Sequence, residues 1–399
     1  MDKQRFPESA MPPLEPTDRR ELYRHFQHVI EGTYDQLLEK QKLNYKQNML
    51  KSFLVETNIG PSKLEERFEH VTVTKVDYSL FEVLVDTSDE EDEEEILTFY
   101  LDSQDERFWT FYSIEKSRPA KDVMAELIMA ERSGLDYLWF PAQLQRYFTE
   151  LGEFQGAGIN YDAEDVFSEE YIDEHLPFGE LSIQSSGQGT SWLLDALSDA
   201  DLKRFMSLSS VKIRQETEEG AVIERIDNNG RITTRGGNDI QAHLTFVETI
   251  RELYADLVRG IEENGRIEYP LRVIEPEDDE RHSPGQSIEG TPIIINLANP
   301  IENLKEFADS ITSATKPLRL WGAGSWIADD YYKIRGTDLH NNDSFTLEIK
   351  RDWIRLYLPE DACGNTALRI FSNIQRYYDA EASFGERSAP ENSRVALTA

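Results

Sequence analysis

Three stretches of the chain share one order of patterns, in which a helix precedes three or four strands and another helix follows. They span about 61–150, 181–265 and 290–380. Short turns separate the strands within each stretch, which leaves no room for the long crossover connections that parallel strands need. The shared order predicts antiparallel sheets with helices on one face. It is a similarity of order and not of residues.

We therefore predict an α+β fold with an N-terminal helical segment, followed by two or three modules of antiparallel sheet with helices packed on one face. A chain of 399 residues has room for two to three domains. The predicted divisions are an N-terminal tail with helices (1–60), a first α+β module (61–151), an irregular connection with a second α+β module (152–274), a linker (275–290), a third α+β module (291–382) and a disordered tail (383–399).

Apolar residues at spacings of three and four predict the helices. The first is predicted from Thr17 to about Leu43, with a second helical piece through Leu54. Later helices are predicted at about 119–133, 240–263, 301–311 and 364–378. The stretch from Gly152 to Gly189 mixes glycine with acidic residues, and we predict that it is a long irregular connection.

The composition is strongly acidic, with 76 Asp and Glu residues against 42 Lys and Arg and a net charge of −34. Such an excess destabilises a compact fold through self-repulsion unless counterions screen it. At ~1 M salt the Debye length falls to roughly 3 Å and the repulsion largely disappears. Because the acidic residues are spread over all segments, we expect a halophilic, archaeal protein rather than a mimic of nucleic-acid phosphate.

The sequence also limits the location and the partners of the protein. It contains no apolar run of 18 residues and no signal peptide, so we expect a soluble cytoplasmic protein without a membrane partner. The single cysteine, Cys363, excludes an internal disulfide and a cysteine-based zinc cluster. Lys and Arg form no run of three, which argues against a nucleic-acid partner.

The strongest catalytic pattern is Asp338 followed about ten residues later by Glu348-Ile349-Lys350. Glu348 and Lys350 share a strand face because their spacing is two. An Asp and a Glu-x-Lys on adjacent strands resemble the motif of the PD-(D/E)xK nucleases. The resemblance implies that Asp338 and Glu348 hold Mg²⁺, while Lys350 orients or activates water for phosphodiester hydrolysis.

A second candidate site overlaps the first. Asp338, His340 and Asp343 combine carboxylates with an imidazole, which is a ligand set for a divalent metal. The residues between 339 and 343 are also typical of a hairpin turn, in which Asn and Asp side chains bond their own backbone. We favour the turn.

Two further patterns have a chemical and a structural interpretation. Cys363 lies just before the last predicted helix, whose dipole lowers a thiol pKa, although lone cysteines are more often small buried hydrophobes. The glycine-rich stretch from Trp321 to Trp326 lacks the lysine of a phosphate-binding loop. We interpret it as a bulge or sharp corner with two packed tryptophan rings.

The sequence contains no complete catalytic motif, cofactor loop or metal cluster. We therefore favour a non-catalytic protein that binds another macromolecule, most simply another protein, and that needs no cofactor. The alternative is a Mg²⁺-dependent nuclease or phosphodiesterase that uses Asp338, Glu348 and Lys350, and only this alternative involves nucleic acid. The sequence leaves the oligomeric state open.

Overall fold

The computed structural model describes residues 16–40, 49–88, 96–176, 178–187, 189–198, 202–218, 220–267, 291–314 and 316–385. The acidic run at 89–95 and the predicted linker at 275–290 lie outside the described residues. So does the part of the predicted disordered tail from residue 386 onward.

Nine α-helices occur in the described part of the chain. They are α1 Arg19–Lys40, α2 Lys63–Arg67, α3 Ser117–Met129, α4 Ala142–Phe148, α5 Glu169–His175, α6 Gly189–Ser198, α7 Ile240–Gly265, α8 Leu304–Ile311 and α9 Asn365–Tyr377. Short polar side chains fix where some of them begin. The Asp239 carboxylate accepts a hydrogen bond from the backbone N–H of Ala242 at the start of α7.

The larger sheet has eleven strands. They are β1 Lys51–Thr57, β2 Val71–Lys75, β3 Leu80–Asp86, β4 Ile96–Asp102, β5 Phe108–Ser113, β6 Leu135–Tyr137, β7 Glu153–Asp162, β8 Glu180–Ser186, β9 Leu208–Glu216, β10 Ala221–Asp227 and β11 Arg231–Gly237. The strand order is β2-β3-β4-β5-β1-β11-β10-β9-β7-β8, and β6 also pairs with β1. Strand β1 joins the β2–β5 half of this sheet to the β7–β11 half, because Ser52 lies opposite Tyr112 of β5 on one side and opposite Ile232 of β11 on the other.

The smaller sheet has seven strands. They are β12 Arg266–Ile267, β13 Ile293–Asn296, β14 Leu320–Ala328, β15 Tyr331–Asp338, β16 Ser344–Ile349, β17 Trp353–Pro359 and β18 Ser383–Phe384. The order is β14-β15-β16-β17-β13-β18. Only the two-residue β12 pairs in parallel, with β17, among the strand pairs that the structure describes. The two sheets and their helices confirm the predicted α+β class, whereas the division into modules stays a prediction.

Two predicted segments differ from the structure. Residues 51–57 form β1 and not the end of a helical piece through Leu54. All seven residues of β1 are buried, but only Phe53, Leu54 and Val55 are apolar, so the strand lacks the alternation of apolar and polar residues that marks a half-buried strand. The stretch from Gly152 to Gly189 is not irregular, since it holds β7, α5 and β8. Strand β8 is polar and partly exposed at the sheet edge, which weakens its signal in the sequence.

One hydrophobic core connects the two sheets. A single cluster of buried apolar residues includes members of β1 and β5 in the larger sheet and of β16 and β17 in the smaller one. Helix α7 contributes Tyr254 and Leu257 to this cluster, and α9 contributes Leu368 and Phe371. No helix among the described residues is long and apolar enough to cross a membrane.

Candidate functional site

Asp338, the last residue of β15, is fully buried and fully bonded. One carboxylate oxygen accepts the backbone N–H of His340 at 2.9 Å, and the other accepts the Thr366 hydroxyl at 2.6 Å and the Arg369 guanidinium. Burial alone raises a carboxyl pKa, but Arg369 and these hydrogen bonds hold the pKa of Asp338 below its usual value. Asp338 therefore serves as an internal anchor.

Glu348 lies in β16, on the partly exposed face of the smaller sheet. Its carboxylate accepts hydrogen bonds from the Lys333 ammonium at 3.1 Å and from the Tyr357 hydroxyl at 2.8 Å. Burial opposes ionisation of this group, yet the hydrogen bonds from Tyr331, Tyr357 and Lys333 lower the pKa of Glu348 overall. Its ionised form is thus already satisfied by the protein.

The structure does not bring Asp338, Glu348 and Lys350 to one place. Glu348 lies opposite Lys333 in the β15–β16 ladder, and Asp338 is five residues further along β15, which is about 16 Å away and on the opposite sheet face. Lys350 follows Glu348 by two residues, and its ammonium lies 3.6 Å from the Asp330 carboxylate. This separation argues against the nuclease alternative.

The turn between β15 and β16 explains the second sequence candidate. The Asn342 N–H donates to the Asp338 carbonyl at 2.8 Å, and the Asp343 N–H donates to the Asn341 side chain at 2.9 Å. These are the local bonds expected of a hairpin turn, so that interpretation is confirmed. In the described parts of the chain, no group of three or more His, Cys, Asp or Glu side chains is placed to share a metal ion.

A buried ion cluster links the two sheets. The Arg369 guanidinium of α9 binds Asp136 of β6 at 2.7 Å and also binds Asp338 of β15. The Asn365 amide adds a 3.0 Å hydrogen bond to Asp136. All of these side chains are buried. Sequence reasoning missed this cluster because Asp136 and Arg369 are 233 residues apart.

A cleft of about 780 Å³ opens beside this cluster, between the end of β1 and the β15–β16 hairpin. Its wall contains Glu56 of β1, Arg107 just before β5, Glu262 of α7 and Cys363 just before α9. The Arg107 guanidinium donates to Glu56 and to Glu262, at 2.7 Å in each case. The Cys363 thiol donates to Glu56 at 3.2 Å. The four side chains thus satisfy one another across the back of the cleft.

The electrostatics of this cleft favour the neutral forms of Glu56 and Cys363, whereas the pKa of Glu262 is lowered because the effect of burial is outweighed by hydrogen bonds from Arg107 and from the Gly364 N–H. Burial, together with nearby Asp136, raises the pKa of Glu56 to about 7, although Arg107 opposes the shift. Burial and the neighbouring Glu56 raise the pKa of the Cys363 thiol well above its usual value. This direction is opposite to the one expected of a thiol activated by a helix dipole, which was the less favoured interpretation of Cys363. A thiol that keeps its proton is not an activated nucleophile.

Strand β14 forms an exposed edge of the smaller sheet. It carries no charged side chain, and Trp321, Trp326 and Ile327 are 57%, 49% and 55% exposed. A single bridge to Ser313 covers its start at Trp321. Beyond that bridge, no strand in the described residues pairs with its outer side.

The backbone of β14 also faces outward at alternate residues. The Leu320 carbonyl accepts the Ala314 N–H at 2.8 Å on the side away from β15. Because the two backbone groups of one strand residue point to the same side, Gly322, Gly324 and Trp326 also direct their N–H and C=O groups outward. These groups form a row of donors and acceptors along the edge.

This arrangement corrects the interpretation of the glycine-rich stretch. The residues from Trp321 to Trp326 form a strand, and their tryptophan rings are half exposed instead of packed in a sharp corner. A bulge does occur, but the register shifts between Trp326 and Ala328, beyond the glycine-rich stretch, whose own pairing with β15 is regular. The glycines are required by close packing, because a Cβ at Gly324 would lie 2.3 Å from the Tyr332 ring.

Comparison with known proteins gives a match over nearly the whole chain. The sequence is 29% identical over 422 aligned positions to "Uncharacterized protein MJECL33" of Methanocaldococcus jannaschii, and the alignment covers 95% of this chain and 97% of that protein. A family profile described as "MJECL33-like protein" matches residues 11–393. The chain therefore belongs to the MJECL33-like protein family.

Proposed function

We propose that this protein is a non-catalytic binding protein that holds another protein by adding a strand of that partner to β14. The observation that carries the proposal is the uncharged outer edge of β14, with its exposed Trp321, Trp326 and Ile327. Strand addition to an open sheet edge is a common way for proteins to recognise extended peptides. Main-chain hydrogen bonds supply affinity, and alternate side chains supply specificity.

The composition of the edge supports this role. An exposed edge strand invites unwanted pairing, and proteins usually protect it with lysine, proline or inward charges. Charged residues make up 30% of this chain, yet none occurs among the nine residues of β14. Selection for solubility alone would favour charge at such a place, so an uncharged edge indicates a partner.

The first test of this proposal combines peptide selection with hydrogen exchange. Random twelve-residue peptides selected on the folded protein are expected to slow amide exchange at Gly322, Gly324 and Trp326, because these amides face outward. Ile327→Lys is expected to weaken the selected peptides at least tenfold by placing a charge in the apolar contact. Binding is measured by fluorescence polarisation, and exchange by NMR or mass spectrometry.

The control is Trp192→Lys in α6. Trp192 is 73% exposed and lies in α6, outside β14, so its replacement introduces the same charge without touching the edge. Affinity for the selected peptides should stay within twofold of the wild type. Peptides that bind tightly but leave the three β14 amides unprotected would exclude strand addition at this edge.

We further propose that the protein works in the salt-rich cytoplasm of an archaeon. Only nine Asp and Glu residues are buried in the part of the chain that the structure describes, so the acidic excess lies mainly on the surface. Self-repulsion among these groups falls as salt shortens the Debye length. Apolar contact and backbone pairing at β14 do not depend on charge, so they remain effective under these conditions.

The salt proposal predicts a large change in stability. In ~0.05 M KCl the protein is expected to lose much of its helical circular dichroism at 25 °C, and in ~2 M KCl to regain it, because screening removes the repulsion. Sucrose at equal osmolarity is the control, since it stabilises folds without screening charge. A melting temperature that is high in dilute buffer and unchanged by KCl would contradict the proposal.

A further inference from the structure

The two faces of β14 differ in chemistry. On the core side, the edge presents Trp326, whose ring centre lies 5.0 Å from that of buried Tyr332. On the opposite side, Ala323 lies across from Arg335 of β15, and Ser325 lies across from Lys333. A strand that pairs with β14 therefore places alternate side chains against the Trp326 ring on one face and, on the other face, beside Arg335 and Lys333 together with the exposed Trp321.

Arg335 is the cation most available to a partner. It is exposed, and no carboxylate among the described residues lies within ion-pair distance of its guanidinium. Lys333, by contrast, is already bound to Glu348 at 3.1 Å.

The geometry lets Arg335 reach an added strand. The residue that pairs with Ala323 on the far side of β14 lies two strand spacings from Arg335, about 9.6 Å. Ala323 is small and leaves the space above it open. An arginine and a glutamate side chain together span this distance. The acidic turn at Asp329 and Asp330 lies at the other end of the strand, away from Ala323.

We infer that the partner is a protein segment that alternates apolar and acidic side chains, with its apolar side on Trp326 and its acidic side toward Arg335. This inference rests on the proposed strand addition at β14. The acidic side chain supplies the carboxylate that Arg335 lacks within the chain. The apolar side chains cover Trp326, and the partner backbone meets the outward groups of Gly322 and Gly324.

Two other occupants fit less well. A second copy of this chain offers a β14 without any carboxylate, and it brings another net charge of −34 to the interface. A single-stranded nucleic acid offers phosphates to Arg335, but it has no peptide backbone to pair with Gly322 and Gly324. Only a strand with both acidic and apolar side chains can pair with the outward backbone groups, cover Trp326 and supply a carboxylate to Arg335.

The experiment uses two labelled eight-residue peptides, one alternating Val with Glu and the other alternating Val with Lys. Binding to the full chain is measured by fluorescence polarisation at the lowest KCl concentration that keeps it folded. Protection of the Gly322, Gly324 and Trp326 amides identifies binding at β14 and separates it from nonspecific attraction. Arg335→Glu is expected to weaken the Glu peptide at least tenfold and to strengthen the Lys peptide at this edge.

Arg118→Glu is the matched control, because it makes the same charge change at an exposed residue of α3. Arg118→Glu should leave the affinities for the Glu peptide and the Lys peptide within twofold of the wild type. If both peptides protect β14 and Arg335→Glu changes neither, the inference fails while strand addition stands. If neither peptide nor any selected peptide protects β14, the proposed function fails. Protection by a dT twelve-mer, or by dimerisation without peptide, would also overturn the inference.

Discussion

Replacing Arg369 by methionine is expected to lower the free energy of unfolding by about 3–5 kcal/mol. The guanidinium neutralises Asp136 and Asp338 inside the protein, and its loss leaves two buried carboxylates without a countercharge. These carboxylates belong to different sheets, so the substitution also removes a connection between the sheets. Urea unfolding at fixed KCl, followed by circular dichroism, measures the change.

The pH dependence distinguishes this mechanism from simple loss of packing. In the wild type the lowered pKa of Asp338 adds stability above the unfolded value of about 3.9, and that stability is lost as pH falls through the folded pKa. Without Arg369, burial raises this pKa, so the variant gains stability as pH falls. The difference in the free energy of unfolding between Arg369→Met and the wild type should therefore be smaller at pH 5 than at pH 8.

Lys305→Met provides the matched control for Arg369→Met. The ion pair of Lys305 with Asp309 is exposed and screened by solvent, so its loss should leave the free energy of unfolding nearly unchanged. The assigned role of Arg369, which is to neutralise Asp136 and Asp338, would be contradicted if Arg369→Met lowered the free energy of unfolding by less than about 1 kcal/mol. It would also be contradicted if the decrease did not vary with pH.

Replacing Lys51 by methionine is expected to stabilise the protein by up to about 4 kcal/mol near pH 7. Lys51 begins β1 with no exposed surface, and its ammonium donates to the Met49 carbonyl. Burial lowers the pKa of Lys51 to about 7; Arg231 lowers it further, while Glu115 opposes the shift. An unfolded lysine keeps its proton to about pH 10.4, so protonation favours the unfolded chain at neutral pH.

The sign of the Lys51 effect follows from proton linkage. The unfolded state binds more protons than the folded state between about pH 7 and pH 10, so wild-type stability rises with pH in this window. The advantage of Lys51→Met should accordingly fall toward zero near pH 10. Lys63→Met, which removes an exposed lysine of α2, is the control and should leave the free energy of unfolding unchanged at both pH 7 and pH 10. If Lys51→Met stabilised the protein equally at pH 7 and pH 10, the destabilisation could not come from the lowered pKa of Lys51.

Amphipathic helices were the most predictable elements of this fold. Helix α7 was expected at about 240–263 and spans Ile240–Gly265, and α9 was expected at about 364–378 and spans Asn365–Tyr377. Both helices have one continuous apolar face, so the spacing of their residues contains enough information. Strand β1 was missed because its seven residues are all buried, which removes the alternation that marks a strand.

The candidate site was less predictable because it depends on contacts between distant residues. The shared sheet face of Glu348 and Lys350 follows from their spacing alone. The hairpin register, which separates Asp338 from Glu348, depends on the turn and cannot be derived from that spacing. Likewise, the glycine-rich sequence of β14 resembles a turn, and only its pairing with β15 identifies it as an exposed edge.

The central position of β1 also governs how the chain matures during synthesis. Lys51 pairs with Thr233, so the middle of the larger sheet cannot close until about 180 further residues have left the ribosome. Contacts of such high sequence separation slow folding, and they leave strand edges unpaired on the nascent chain in the meantime. Truncations that end before β11 are therefore expected to aggregate.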